Sequence, residues 1–140
     1  MRSGMGEVRV RATLTNAFDE ALARRGLLRS DEVRTVETDA LVDTGAARTI
    51  LPPDVVARLG LAARGQRQAR YADGRTETVP VTEPLVVALE GRDTLEDAFV
   101  LGDEVLIGQT VLEKLDLFVD CHGQRLVPNP KHPDEPITRV

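Results

Sequence analysis

Val8, Val10, Ala12 and Leu14 alternate with Glu7, Arg9, Arg11 and Thr13, and this period of two predicts that the chain opens with a half-buried strand over residues 7–14. Asn16 then stands before a segment with Phe18, Ala21 and Leu22 on one side, Arg24 and Arg25 in its last turn and Gly26 after it. That order of cap, basic last turn and glycine predicts a short helix lying over one sheet face. Residues 33–42 are rich in Val and Thr and finish in Ala40-Leu41-Val42, as a strand entering the interior would. Pro52-Pro53 starts a second helix carrying Val55, Val56 and Leu59, closed by Gly60. The runs 66–72 and 75–81 flank Asp73-Gly74, which predicts a projecting hairpin with a two-residue turn. Further strands are predicted over 85–89, 97–101, 104–107, 117–119 and 124–127, with a third short helix over 109–115 that turns Val111, Leu112 and Leu115 inward. Four prolines between Pro128 and Pro136 make the end an extended tail. The pattern is that of a small, all-β or β-rich fold with two or three short helices.

At 140 residues the chain has the length of one domain, 1–140, with its core over about 7–127 and a tail over 128–140. A net charge of −5 offers no electrostatic footprint for nucleic acid or an anionic membrane, and the four aromatics, Phe18, Tyr71, Phe99 and Phe118, are too few to stack bases. The core must therefore be aliphatic. One cysteine, Cys121, and two histidines, His122 and His132, leave no intramolecular disulfide and no zinc-ligand spacing, so no metal or other cofactor is expected. The charged start lacks the apolar segment of a signal peptide, and no run approaches the roughly 20 apolar residues of a membrane span. A soluble, cytoplasmic setting is the expectation, and Met5-Gly6 offers an alternative start.

Candidate chemistry sits in Ala40-Leu41-Val42-Asp43-Thr44-Gly45-Ala46, where an apolar strand delivers a carboxylate to a turn of small residues. An Asp before Gly often caps a turn, and an Asp-Thr-Gly triplet alone arises by chance in roughly 1–2% of chains of this length. Two further features accompany it in order: the hairpin around Tyr71-Ala72-Asp73-Gly74-Arg75, and Leu106-Ile107-Gly108 leading into Gln109-Thr110-Val111-Leu112. Together these make the chain resemble the retropepsin-like (retroviral-type) aspartic proteases, as a single-domain cellular member, over about residues 33–126.

The resemblance implies a half-barrel of the acid-protease type and an aspartic endopeptidase. Two carboxylates within about 3 Å of each other cannot both ionise, so they share a proton and act together as general base and general acid on water and a peptide carbonyl. The chain has one Asp-Thr-Gly, so the resemblance implies a homodimer with Asp43 of each subunit at a twofold axis. It implies catalytic roles for Asp43, Thr44 and Gly45: the Thr44 hydroxyl bonds to the partner loop, and Gly45, lacking Cβ, allows close approach and amide contact. Ala46 and the flap residues Tyr71, Ala72, Asp73 and Gly74 would contact a peptide or protein substrate held extended, with apolar side chains in aliphatic pockets. Leu106, Ile107 and Gly108 would support the loop by packing. Asp39, Asp54, Asp73, Asp97, Asp103, Asp116 and Asp120 lack the apolar-strand context and read as turn, cap or surface acids.

The chain also departs from the viral pattern. Residues 16–31 are an insertion, Gln109 replaces an arginine common in viral enzymes, and Pro128 to Pro136 would resist an interleaved terminal sheet, leaving Ile137 to Val140 to add a strand. Cys121 and His122 sit side by side, and because adjacent residues of an extended chain point to opposite faces they are expected to form no thiol–base pair. A second reading of the same fold is a dimeric module that captures an extended segment by strand addition and cleaves nothing.

Overall fold

The computed structural model describes residues 7–140, so the alternative start at Met5-Gly6 lies outside the described residues. Strand β1 (Val8–Asn16) keeps its alternation, with Val8, Val10, Ala12 and Leu14 buried and the intervening arginines exposed. Asn16 ends β1 and caps α1 (Ala17–Arg24) by accepting the Asp19 amide at 3.0 Å, while its own Nδ2 donates to the Leu59 carbonyl at 2.9 Å. The apolar side of α1 is not turned inward as its spacing suggested. Phe18 and Leu22 are exposed, and the buried positions are Ala17 and Asp19, because Asp19 is held under the helix by the Arg34 amide and guanidinium.

A 3-10 turn (Ser30–Glu32) leads to β2 (Thr35–Val42), antiparallel to β1 from Val8↔Val42 to Thr15↔Thr35. There follow β3 (Thr49–Leu51), α2 (Pro53–Leu59), β4 (Ala63–Arg70), β5 (Thr76–Thr82), β6 (Leu85–Leu89), β7 (Arg92–Glu96), β8 (Ala98–Val100) and β9 (Leu106–Ile107). Then come α3 (Gln109–Leu115) and a separate ribbon of β10 (Leu117–Asp120) and β11 (Arg125–Pro128). The main sheet runs β4-β5-β8-β3-β9-β2-β1-β6-β7. All-β architecture with short helices is thus the observed class.

The core is aliphatic. Leu14, Leu51, Leu59, Leu85, Leu89, Ile107 and Leu115 are almost wholly buried, and the main cluster holds no aromatic among the described residues. Each such leucine contributes about 1.5–3 kcal/mol on transfer from water. Pro53 opens α2 and Gly60 closes it in the left-handed region, at φ +65°.

Two strands have no counterpart in the sequence reading: β3 and β7. A Glu90-Gly91 turn with positive φ at both positions joins β6 to β7, which is the two-residue hairpin geometry expected instead at Asp73-Gly74. Beyond Pro128, residues 129–140 form no strand. Buried Arg92 donates to the carbonyls of Leu115, Asp116 and His132 at 2.9, 3.0 and 2.9 Å. Asp116 accepts from the Asn129 side chain at 3.0 Å and the Ile137 amide at 3.1 Å, and pairs with His132 at 2.6 Å. These contacts lash residues 129–137 to the end of α3 and hold the Asp116 carboxyl below its usual range, the Asn129 hydrogen bond being the largest cause.

Candidate active site

Strand β2 buries Ala40, Leu41 and Val42 and then releases Asp43 half-buried at its end. The chain turns at once: the Ala46 amide donates to the Asp43 carbonyl at 3.1 Å, and the Gly45 amide donates to Asp43 Oδ1 at 3.0 Å. A Cβ on Gly45 would stand 3.2 Å from that same oxygen, so the absence of a side chain lets the amide come close. Thr44 and Gly45 are exposed and Ala46 is half-buried, so the loop presents small groups around one carboxylate.

The loop is held from behind by β9 and the start of α3. Leu41 and Asp43 donate their amides to the carbonyls of Val105 and Ile107, both at 2.9 Å, in the parallel pairing Leu41↔Leu106 and Val42↔Ile107. On its other side β9 meets β3 at Ile50↔Leu106. Beyond β9, the amides of Gln109 and Thr110 reach the carbonyls of Ala46 and Ala47 at 2.8 and 3.1 Å, and Thr110 Oγ1 also bonds the Ala47 carbonyl at 2.8 Å. Gly108 makes this approach possible. A Cβ there would sit 2.7 Å from the Arg48 carbonyl oxygen and 2.8 Å from that of Ala46.

The supporting roles of five residues escaped the sequence reading. Thr110 also donates to buried Glu96, at 3.3 Å, and Glu96 is paired with Lys114. Arg48 pairs with Asp97 and lies 5.5 Å over the Phe99 ring. No spacing rule links these positions, which meet only because β7, β8 and α3 converge behind the loop.

Tyr71, Ala72, Asp73 and Gly74 form the tip of the β4–β5 hairpin, away from the Asp43 loop in sheet order. The turn is a three-residue loop over Ala72-Asp73-Gly74 in place of the two-residue turn read from Asp73-Gly74. The Gly74 amide bonds the Tyr71 carbonyl at 2.9 Å, the Tyr71 amide bonds the Arg75 carbonyl at 2.8 Å, and Gly74 alone of the three has positive φ. Asp73 steadies it by accepting the Arg75 amide at 2.9 Å. Half-buried Tyr71 turns its hydroxyl to Glu77 at 2.6 Å, which raises the phenol above its usual range, and Arg75 stacks 4.5 Å over its ring.

An open cleft of about 330 Å³ adjoins Asp43, with Leu41, Ile50 and Leu106 among its walls, and none of the hairpin-tip residues lines it. Among the described residues no group of three or more His, Cys, Asp or Glu is placed to hold a metal ion. Cys121 is exposed, and it lies with His122 in the β10–β11 turn, not on a strand. No helix of the described residues is long and apolar enough to cross a membrane.

An aspartate offered on a glycine-bearing loop by an apolar strand and braced by a second strand–helix element defines the retropepsin-like class of aspartic protease folds. The chain belongs to the gag-polyprotein putative aspartyl protease family, whose model matches residues 32–114. Among solved structures it is similar to a retropepsin-like aspartic protease from Rickettsia conorii, at 20% identity and a TM-score of 0.51, over 85% of this chain and 80% of that one. It is also similar to the foamy viral protease-reverse transcriptase in complex with an RNA/DNA hybrid, at 18% identity and a TM-score of 0.49. That match covers 75% of this chain and only 11% of the viral one. No curated protein matches the chain.

Proposed function

We propose that the chain, one domain per subunit, is an aspartic endopeptidase that works as a homodimer. In this reading the Asp43 loops of two subunits meet at a twofold axis and their carboxylates share one proton. The ionised carboxylate takes a proton from water as the water oxygen attacks the peptide carbonyl, and the protonated partner gives its proton to the carbonyl oxygen. Collapse of the resulting gem-diol returns a proton to the leaving amine, so no covalent acyl-enzyme forms and no cofactor is required. Thr44 bonds across to the partner loop, Gly45 and Ala46 lie against the peptide, and the β4–β5 hairpin closes as a flap that brings Tyr71, Ala72, Asp73 and Gly74 over it.

The observation that carries this reading is the Asp43 loop itself. A carboxylate stands at the end of an apolar strand, its neighbours Thr44 and Gly45 are exposed, and its backbone is pinned by Ile107, Gln109 and Thr110. A loop so exposed and so firmly braced is suited to meeting its own image. The test is cleavage of a fluorogenic peptide library by wild type and Asp43→Asn, with sedimentation of both. Loss of all cleavage in a variant that still folds and dimerises is the expected outcome, and unchanged cleavage in Asp43→Asn would refute the mechanism.

A second reading rests on the β4 edge. Residues 63–70 end the sheet with an exposed strand, and the hairpin could take an added strand from a bound segment without cleaving it. Wild-type protein that dimerises and binds library peptides but leaves all of them intact would favour this module over the protease.

A further inference from the structure

The cleft beside Asp43 carries a charge pattern that an aliphatic pocket does not need. Asp43 directly follows β2, two residues beyond Leu41, and both line the cleft. Leu106, paired with Leu41, and Ile50, paired with Leu106, extend that lining into apolar walls. Alternation continues upstream of β9: Val105 and Ile107 are buried, whereas Glu104 and Leu106 turn to the cleft side. The cleft is thus apolar at its base, and Glu7, Asp103 and Glu104 stand among its lining residues together with Asp43 itself.

Among the described residues, none that lines the cleft is cationic. Arg9 reaches Glu104 at 3.1 Å and Glu7 at 3.3 Å from outside the lining, so one guanidinium is set against the carboxylates of the cleft. The described lining residues leave a net negative charge at the mouth of an apolar recess, on exposed carboxylates whose pairing solvent and salt screen.

We propose that this cleft selects a substrate side chain with an aliphatic stem and a cationic tip, lysine or arginine, through Glu104 and Asp103. The inference rests on the endopeptidase reading, because it takes the cleft at Asp43 as the seat of a residue flanking the scissile bond. The stem lies on Leu41, Ile50 and Leu106, and the tip reaches the carboxylates at the mouth. An acidic side chain is rejected there by like charge. In a twofold dimer the cleft occurs once on each side of the scissile bond, so the same preference holds at both flanking positions.

The test uses the full chain and peptides identical except at one flanking residue, which is lysine, norleucine or glutamate. Norleucine keeps the lysine stem and lacks its ammonium. Wild type should cleave the lysine peptide with kcat/KM on the order of three- to tenfold above the norleucine peptide, as expected for a charge pair at a partly open site. The ratio should shrink with added salt, fall towards one in Asp103→Asn/Glu104→Gln, and turn in favour of glutamate in Glu104→Lys. Equal rates for lysine and norleucine in wild type, or a lysine preference untouched by the double variant, would overturn the proposal. The same peptides are titrated by fluorescence anisotropy against Asp43→Asn, so the inference does not depend on turnover. If no peptide is cut, the endopeptidase reading fails, and the lysine-to-norleucine Kd ratio alone decides whether the cleft reads charge.

Discussion

Replacing Gly108 by alanine tests whether the brace behind the Asp43 loop is as tight as its geometry states. The new methyl would stand 2.7 Å from the Arg48 carbonyl oxygen, and 2.8 Å from both the Ala46 carbonyl oxygen and the Ala47 carbonyl carbon. These separations are roughly 0.7 Å or more inside ordinary contact at about 3.5 Å, and all three atoms are backbone, so no side chain can swing away. Overpacking of this kind costs about 1–3 kcal/mol. Pushing the loop off also strains the Gln109 amide to Ala46 bond and the Thr110 hydroxyl to Ala47 bond, each 2.8 Å now and each worth about 1 kcal/mol. A total of about 2–4 kcal/mol follows, which for a chain of this size lowers Tm by roughly 6–12 °C. Urea unfolding followed by circular dichroism measures it, with Gly65→Ala as the control, since a Cβ there meets nothing within 4 Å. In the endopeptidase reading, peptide cleavage should be lost in Gly108→Ala even where it remains folded, because the displaced residues 46–48 continue the loop that holds Asp43. A Gly108→Ala variant as stable as wild type to within about 0.5 kcal/mol would show that the close approach is not a constraint.

Other positions give independent checks. Arg92→Ala leaves the carbonyls of Leu115, Asp116 and His132 without their shared donor and should cost about 2–4 kcal/mol, with faster amide exchange at His132 and Ile137. Asn16→Ala removes both the cap of α1 and the bond to Leu59, for a loss of about 2–3 kcal/mol in urea unfolding. The Arg34 hydrogen bond is the main cause holding the Asp19 carboxyl below its ordinary value. A folded value below the unfolded one means that this contribution is present above the usual carboxylate range and is lost as pH falls through the folded value. Unfolding free energy measured between pH 7 and pH 2 should therefore decline towards the acid end, and less steeply in Asp19→Asn.

Elements whose side-chain pattern matches the burial they receive were legible in advance. Strand β1 alternates because one face is core, Asn16 caps because its oxygen reaches the Asp19 amide, and Pro53 and Gly60 bracket α2. Strand β7 was missed because its inward positions are polar: Arg92 and Glu96 are buried at its ends and reveal themselves only through partners on α3 and the tail. Strand β3 spans three residues, too few for a period to register. The Asp-Thr-Gly loop could be found by its apolar approach, while Thr110, Arg48 and Asp97 become its supports only through pairings between distant strands. The exposure of Phe18 and Leu22 was hidden for a related reason. Spacing puts them on one side of α1, but the Asp19–Arg34 pair decides which side faces in.

The hairpin of β4 and β5 pairs with the rest of the sheet near one end. Its pairing to β8 is Val81↔Phe99, backed by the Ala98 amide donating to Thr82 Oγ1 at 3.1 Å, and Pro80, which has no N–H to offer, stands just before that bridge. The seven residue-to-residue steps from Val81 out to Gly74 make an arm of about 23 Å at roughly 3.3 Å per step. A rotation of about 15° at the bridge then carries the tip some 6 Å, while the internal ladder from Gln66↔Pro80 to Arg70↔Thr76 travels intact. In the endopeptidase reading, reaching toward or away from the sheet would then be a swing of one stiff lever about a short fulcrum, with no unzipping along the way.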